Sequence, residues 1–174
     1  MKHGKRRTFV QRIVSGGQTG VDRGALDAAI ELGIEHGGWC PRGRIAEDGR
    51  ISAKYRLRET DSPDYPARTE LNVLHSDGTL ILFWHRVVGG TELTRRLAAK
   101  CGKPCLLVKL GKKADPASVR QWIKENEIRV LNVAGPRESS CPGIRQAACD
   151  FVRALMADPQ QSSDPPNGAA PGGR

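Results

Sequence analysis

Two short segments, Ser15-Gly16-Gly17-Gln18-Thr19-Gly20 and Val88-Gly89-Gly90-Thr91-Glu92, have the composition needed to hold an anion. Each follows an apolar run, and each opens a stretch with helical periodicity. Glycine lets a backbone turn tightly and come close to a ligand. The start of a helix supplies unpaired N–H groups and the positive end of its dipole. The candidates for a phosphate site are therefore Gly16, Gly17, Gln18, Thr19 and Gly20 of the first turn, with Gly89, Gly90 and Thr91 of the second. Arg23 lies within one helical turn and could pair with phosphate, whereas Asp22 suits the helix dipole. A tight strand-to-helix turn without a ligand also fits the first segment. It is not a Walker loop, because no Gly-Lys-Ser/Thr follows, and it is not the GxGxxG fingerprint. Two such turns in one chain favour a phosphorylated, nucleotide-like small molecule.

The neighbouring residues leave alternatives open. Thr91 can serve as an N-cap or as a ligand hydroxyl. Glu92 can complement the helix dipole, bind a sugar hydroxyl or act as a general acid/base. A third turn, Ala134-Gly135-Pro136-Arg137-Glu138-Ser139, offers Arg137 for a bidentate grip on phosphate, with Glu138 as a surface ion-pair partner. Arg42 is the nearest cation of an arginine-rich stretch that could close as a lid. Cys40, beside Gly37-Gly38, and His85, just before the second turn, could each line the site. A side chain introduced at Gly17 or Gly90 should block the approach of phosphate with the fold intact.

The elements that must position these residues alternate. Residues 11–15 form a short apolar strand, and 20–33 a helix with Leu26, Ala29 and Ile30 inward and Gly33 as C-cap. A short strand is possible at 34–40, and 41–65 carries little periodicity. The second half places helices at 66–76 (Leu71 and Leu74 inward), 91–101, 116–126 and 142–156. Strands fall at 79–84, 105–109 and 129–134. Asp115 is the expected N-cap of the third of these helices. This pattern predicts an α/β fold: a Rossmann-like, doubly wound, mostly parallel sheet with helices on both faces. All three turns then fall at carboxyl strand ends, where such sheets bind ligands.

The 174 residues suit one domain, expected over 11–156 between a disordered basic arm (1–10) and a disordered Pro/Gly/Ser-rich tail (157–174). Of the net charge of +9, five cations lie in residues 1–12, which leaves a mildly basic middle suited to an anionic ligand. Aromatics make up only 5% and form no stripe with the basic residues, so nucleic acid is not expected. No apolar run reaches the roughly 18 residues that span a bilayer, so no membrane partner is expected. Five cysteines without a CxxC pair read as free thiols in the cytoplasm. The four histidines have no metal spacing, so no structural metal is expected.

The runs SGGQTGVDRGALDAAIELGI (15–34), HGGWCPRGRIAEDG (36–49), GGTELT (89–94) and LNVAGPRESSCPGI (131–144) resemble the molybdenum cofactor carrier family. That family is part of a Rossmann-like group related to the lonely guy and lysine-decarboxylase-like proteins. The resemblance covers roughly residues 11–156. It implies a doubly wound sheet, a homo-oligomer (dimer or tetramer) and a bound molybdenum cofactor (molybdopterin) or similar phosphorylated ligand. It matches Gly16, Gly17, Thr19 and Gly20 to one phosphate turn, and Gly89, Gly90 and Thr91 to another. The hydrolase relatives carry PGGxGTxxE, whereas here Glu92 directly follows Thr91, so N-glycosidic cleavage does not carry over. The expectation is a binding or carrier protein rather than an enzyme. The alternatives are a nucleotide-processing, phosphoribohydrolase-like enzyme and a sensor of a nucleotide-derived ligand.

Overall fold

A computed structural model describes residues 9–157, and the expected basic arm and tail lie almost wholly outside them. Phe9 and Val10, assigned to the arm from sequence, pack on the core.

Five parallel strands form the central sheet. They are β1 (Arg12–Val14), β2 (Glu35–Gly37), β7 (Gly78–Phe83), β8 (Cys105–Lys109) and β9 (Val130–Ala134), in the spatial order β2-β1-β9-β7-β8. Between β2 and β7 lie β3 (Trp39–Cys40), β4 (Ile45–Ala46), β5 (Gly49–Arg50) and β6 (Arg58–Glu59). The helices are α1 (Val21–Leu32), α2 (Tyr65–Leu74), α3 (Gly89–Lys100), α4 (Pro116–Glu125) and α5 (Ile144–Met156).

Side-chain alternation along the strands decides which face carries the core. Ile13, Leu80, Leu82, Leu131 and Val133 share one apolar cluster with residues of α1, α4 and α5. The alternate positions Thr79 and Asn132 are buried on the other face, joined by a 3.2 Å hydrogen bond from the Asn132 amide to the Thr79 hydroxyl. Helices α2 and α3 pack against each other on that side. This explains a difference from the sequence reading. On α2 the buried residues are Thr69, Asn72 and Val73, while Leu74 is 43% exposed and Leu71 only half-buried. The inward stripe is mixed, and Asn72 is held there by hydrogen bonds to the Trp39 backbone rather than by apolar packing. The C-cap at Gly33 and the N-cap at Asp115 are as expected, with Asp115 accepting from Ala117 N (2.9 Å) and Ser118 N (3.0 Å).

The segment over 41–65 is folded despite its lack of periodicity. β4 and β5 form an antiparallel hairpin, β3 and β6 pair in parallel, and Ile51 and Tyr55 are buried in a second small core with Leu26, Cys40 and Ala46. Arg44 organises this flap. Its guanidinium donates to the carbonyls of Ile51, Leu57, Ser52 and Tyr55 at 2.9–3.2 Å.

If β9 and α5 preceded β1 in the chain, the strand order would read 3-2-1-4-5, that of a doubly wound dinucleotide-binding sheet. The present chain has that fold with its ends moved to the α5-to-β1 junction. A permutant that joins Ala157 to Phe9 through a linker of about six residues and opens between Asn126 and Glu127 should therefore fold. A single cooperative melt by circular dichroism is expected. A non-cooperative melt would contradict the topology.

Candidate functional site

Parallel strands run about 4.8 Å apart. Because β9 lies between β1 and β7, the three turns leave the sheet side by side at its carboxyl edge. There the strand order reverses: β1 leads outward to β2, and β7 leads outward to β8. The first and third turns also touch directly. Gly20, at φ +78°, has no room for a Cβ because the backbone of Pro136, Arg137 and Glu138 lies against it, and Val21 N donates to Pro136 O at 3.2 Å.

The first turn is more enclosed than its sequence suggests. Gln18 N donates to Asp22 Oδ2 (3.2 Å) and Thr19 N to Gln18 Oε1 (3.0 Å), so these amides already have partners. Gly17, at φ +75°, packs under Leu57 and Ile51 of the flap. A side chain there would dislodge the flap, so Gly17→Val would not leave the fold intact, as the sequence alone suggests. Gly16 is a glycine for another reason. The Arg68 guanidinium lies on its backbone where a Cβ would be, and Arg68 Nη1 donates to Asp22 Oδ2 at 2.9 Å. Three buried side-chain polar atoms among the described residues have no hydrogen-bond partner, and two lie at this turn: Gln18 Nε2 within it and Arg68 Nε of α2 against it. Both are donors.

Several sequence candidates are spent on holding the flap. Arg23 is buried and grips Asp48 through both Nη atoms (2.5 and 2.7 Å), with its Nε donating to Gly17 O at 3.1 Å. It ties turn to flap and has no free donor face for phosphate. These hydrogen bonds hold the Asp48 carboxyl below its usual value. The Thr19 hydroxyl is bonded to Glu47 Oε1, and Glu47 also accepts from Ser139 N (3.2 Å) and Ser139 Oγ (2.5 Å). Desolvation opposes ionisation of Glu47, but the Ser139 and Thr19 hydrogen bonds outweigh it and lower its pKa. Cys40 is fully buried and its thiol is pushed up by burial, so it does not face the site.

At the second turn, Gly89 and Gly90 are exposed, with open space where a Cβ would sit. The helix begins at Gly89, three residues earlier than a Thr91 cap predicts. The N-cap is Val88, which makes no side-chain cap bond, and Thr91 is buried in the first turn. The N–H groups of Gly89 and Gly90 have no partner within the helix by its geometry. Glu92 is held by Arg95 (2.7 and 2.8 Å) and Arg96 (3.0 Å). His85 is exposed.

At the third turn Arg137 is exposed, its guanidinium 4.9 Å above the Tyr65 ring, which Arg68 approaches at 5.8 Å. Glu138 caps α5, accepting from Gly143 N (2.5 Å) and Arg145 N (3.0 Å), so it is not the surface partner of Arg137. Arg42 is exposed on the flap. Sequence reasoning missed Arg68 and Tyr65. The only available signal was a cation three residues after an aromatic on the helix following the flap.

The family model for the circularly permutated YpsA SLOG family matches residues 13–156. The chain belongs to this family. Its permuted strand order is the feature the family is named for. The chain is 44% identical to a protein of known crystal structure from Syntrophus aciditrophicus, described as a "putative molybdenum carrier protein". The match covers 86% of this chain and 97% of that one, with a TM-score of 0.80. A comparison with curated proteins gives no match. Among the described residues no helix is long and apolar enough to cross a membrane, and no group of three or more His, Cys, Asp or Glu could hold a metal ion.

The Arg95 and Arg96 hydrogen bonds lower the Glu92 pKa to about 2. A carboxyl lowered in the folded state adds stability above its unfolded pKa and loses it as pH falls through the folded value. A carboxyl 13C titration should place the Glu92 midpoint near 2. A midpoint near 4.5, the ordinary value, would show that the arginines do not hold it.

Proposed function

We propose that this protein binds and carries a phosphorylated pterin- or nucleotide-like ligand, with molybdenum cofactor the leading candidate, at the carboxyl edge shared by β1, β9 and β7. The observation that carries the reading is the pair of buried donors without acceptors, Gln18 Nε2 and Arg68 Nε, beside Gly16-Gly17. Buried donors are nearly always satisfied, and an unpaired one calls for an explanation. An incoming phosphate supplies the missing acceptor oxygens. Arg137 adds a second guanidinium, and the exposed start of α3 at Gly89-Gly90 adds main-chain N–H groups. The Tyr65 ring beside both arginines gives a flat surface for a planar ligand.

The donor set fits molybdopterin through its phosphate. No cluster of metal-ligating side chains is present among the described residues, so molybdenum would arrive held by the organic cofactor. The carboxylates near the turns support carriage over hydrolysis. Asp22 is paired with Arg68, Asp48 with Arg23 and Glu92 with Arg95 and Arg96. Glu47 and Glu138 are spent on hydrogen bonds to neighbouring turns. A general acid/base would have to leave one of these partnerships. Five free cysteines suit a reducing compartment such as the cytoplasm. The homo-oligomer implied by the resemblance remains part of this proposal.

Calorimetric titration with molybdopterin, and with a nucleoside monophosphate as a stable surrogate, tests the reading. Arg68→Ala and Arg137→Ala should each weaken binding by about tenfold or more, the scale of one lost charge-assisted contact. Gly90→Val should weaken it with an unchanged melting temperature, since open space surrounds that position. No free base should appear by chromatography. Full affinity in Arg68→Ala would overturn the assignment of the site, and base release would overturn carriage.

A further inference from the structure

A hollow of about 230 Å³ lies on the α2 side of β1 and β2, and nothing in the carrier reading uses it. Arg12, Trp39, Arg58, Asn72 and His75 line it. On β1, Arg12 and Val14 share the sheet face opposite Ile13, which is committed to the apolar core.

Asn72 is spent on the backbone of Trp39: its Oδ1 accepts from Trp39 N (2.8 Å) and its Nδ2 donates to Trp39 O (2.9 Å). The Trp39 indole N–H donates to His75 Nδ1 at 2.8 Å, which leaves the proton of the neutral imidazole on Nε2. Arg58 lies over the Trp39 ring at 5.9 Å. Arg12 lies across Gly37, where a Cβ would strike its guanidinium, and its buried Nε has no hydrogen-bond partner. Glu35, largely exposed and outside the lining, forms an ion pair with that atom at 3.6 Å and leaves the Arg12 Nη atoms without a carboxylate partner. The side-chain acceptors of the lining, Asn72 Oδ1 and His75 Nδ1, are therefore both occupied. What remains is two guanidiniums and a ring N–H, with no carboxylate in the lining.

We propose that this hollow is a binding site for a small multi-oxygen anion of the phosphate type, separate from the three-turn edge. A donor-only lining with two arginines recognises an oxyanion through charge-assisted hydrogen bonds. The volume is below the roughly 300 Å³ at which drug-sized ligand pockets begin, so the group it holds is a single phosphoryl or comparable oxyanion. Trp39 orders the site: its ring faces Arg58, its N–H fixes the His75 tautomer, and its backbone is clamped by Asn72.

The test is a 15N titration of the full chain with inorganic phosphate, with chloride at matched ionic strength as control, reading the Trp39 indole N–H. A saturable shift absent with chloride is expected. Arg58→Gln should weaken it by about tenfold or more, as expected for a lost charge-assisted contact. Arg12→Gln combined with Arg58→Gln should abolish it, with the fold checked by circular dichroism. Gly90→Val, on the other edge, should keep the shift, which separates this site from the carrier site. A phosphate monoester as a second arm distinguishes a phosphoryl group on a larger molecule from the free ion, and a saturable response to either supports the site. A linear response shared by chloride, an unchanged affinity in Arg58→Gln or a loss of the shift in Gly90→Val would overturn the proposal.

Discussion

The placement of β9 between β1 and β7 is the constraint on which the candidate site depends. Three turns far apart in sequence leave neighbouring parallel strands, and direct hydrogen bonds add to strand spacing in joining the first turn to the third. That placement is over-determined. The β9 backbone pairs with both neighbours, and the Asp77 carboxylate at its entry accepts from Arg129 N (2.9 Å) and Val130 N (2.7 Å). The permuted chain reaches this sheet by a different route. The break in the permuted order falls between α5 and β1 and not at the turns that follow β1, β7 and β9.

A second layer of interactions sets how open that edge is. The flap has no strong periodicity of its own, so it is held by directed bonds rather than by a large apolar face. Arg44 gathers four carbonyls within it, and Arg23–Asp48 and Thr19–Glu47–Ser139 bind it to the first and third turns. One consequence is that two main-chain amides of the first turn, Gln18 N and Thr19 N, already have partners within the protein. The buried donors without partners there are on side chains, Gln18 and Arg68, while the start of α3 keeps its glycines exposed. The glycines of the two turns therefore differ in purpose. Gly16 and Gly17 make room for the protein's own Arg68 and Leu57, whereas Gly89 and Gly90 leave room for something else.

The alternation of apolar runs and helical stretches made the parallel sheet legible from sequence, and the GG turns located its carboxyl edge. Glycine at the end of α1 and Asp115 before α4 act locally, through backbone conformation and short hydrogen bonds, and so were readable. The pairing of Arg23 with Asp48 was not, because it joins residues 25 apart through a fold of the flap. The inward face of α2 was misread for a related reason: Thr69, Asn72 and Val73 are its buried residues, and Asn72 is held by the Trp39 backbone, 33 positions earlier, through bonds that helical periodicity does not signal. Arg68 carries no local signature, since its role comes from lying on a glycine 52 positions earlier. Glu92 had its answer in the sequence, because Arg95 and Arg96 stand at helical spacing from it.

The central claim is that Gln18 and Arg68 are buried donors awaiting an anion. It is tested most directly by following the 15N–1H signals of the Gln18 side-chain amide and Arg68 Nε as a phosphorylated ligand is added. The account predicts that both signals move together with saturation and that the Arg68 Nε proton exchanges more slowly in the complex. Tight binding with both signals unmoved would contradict it.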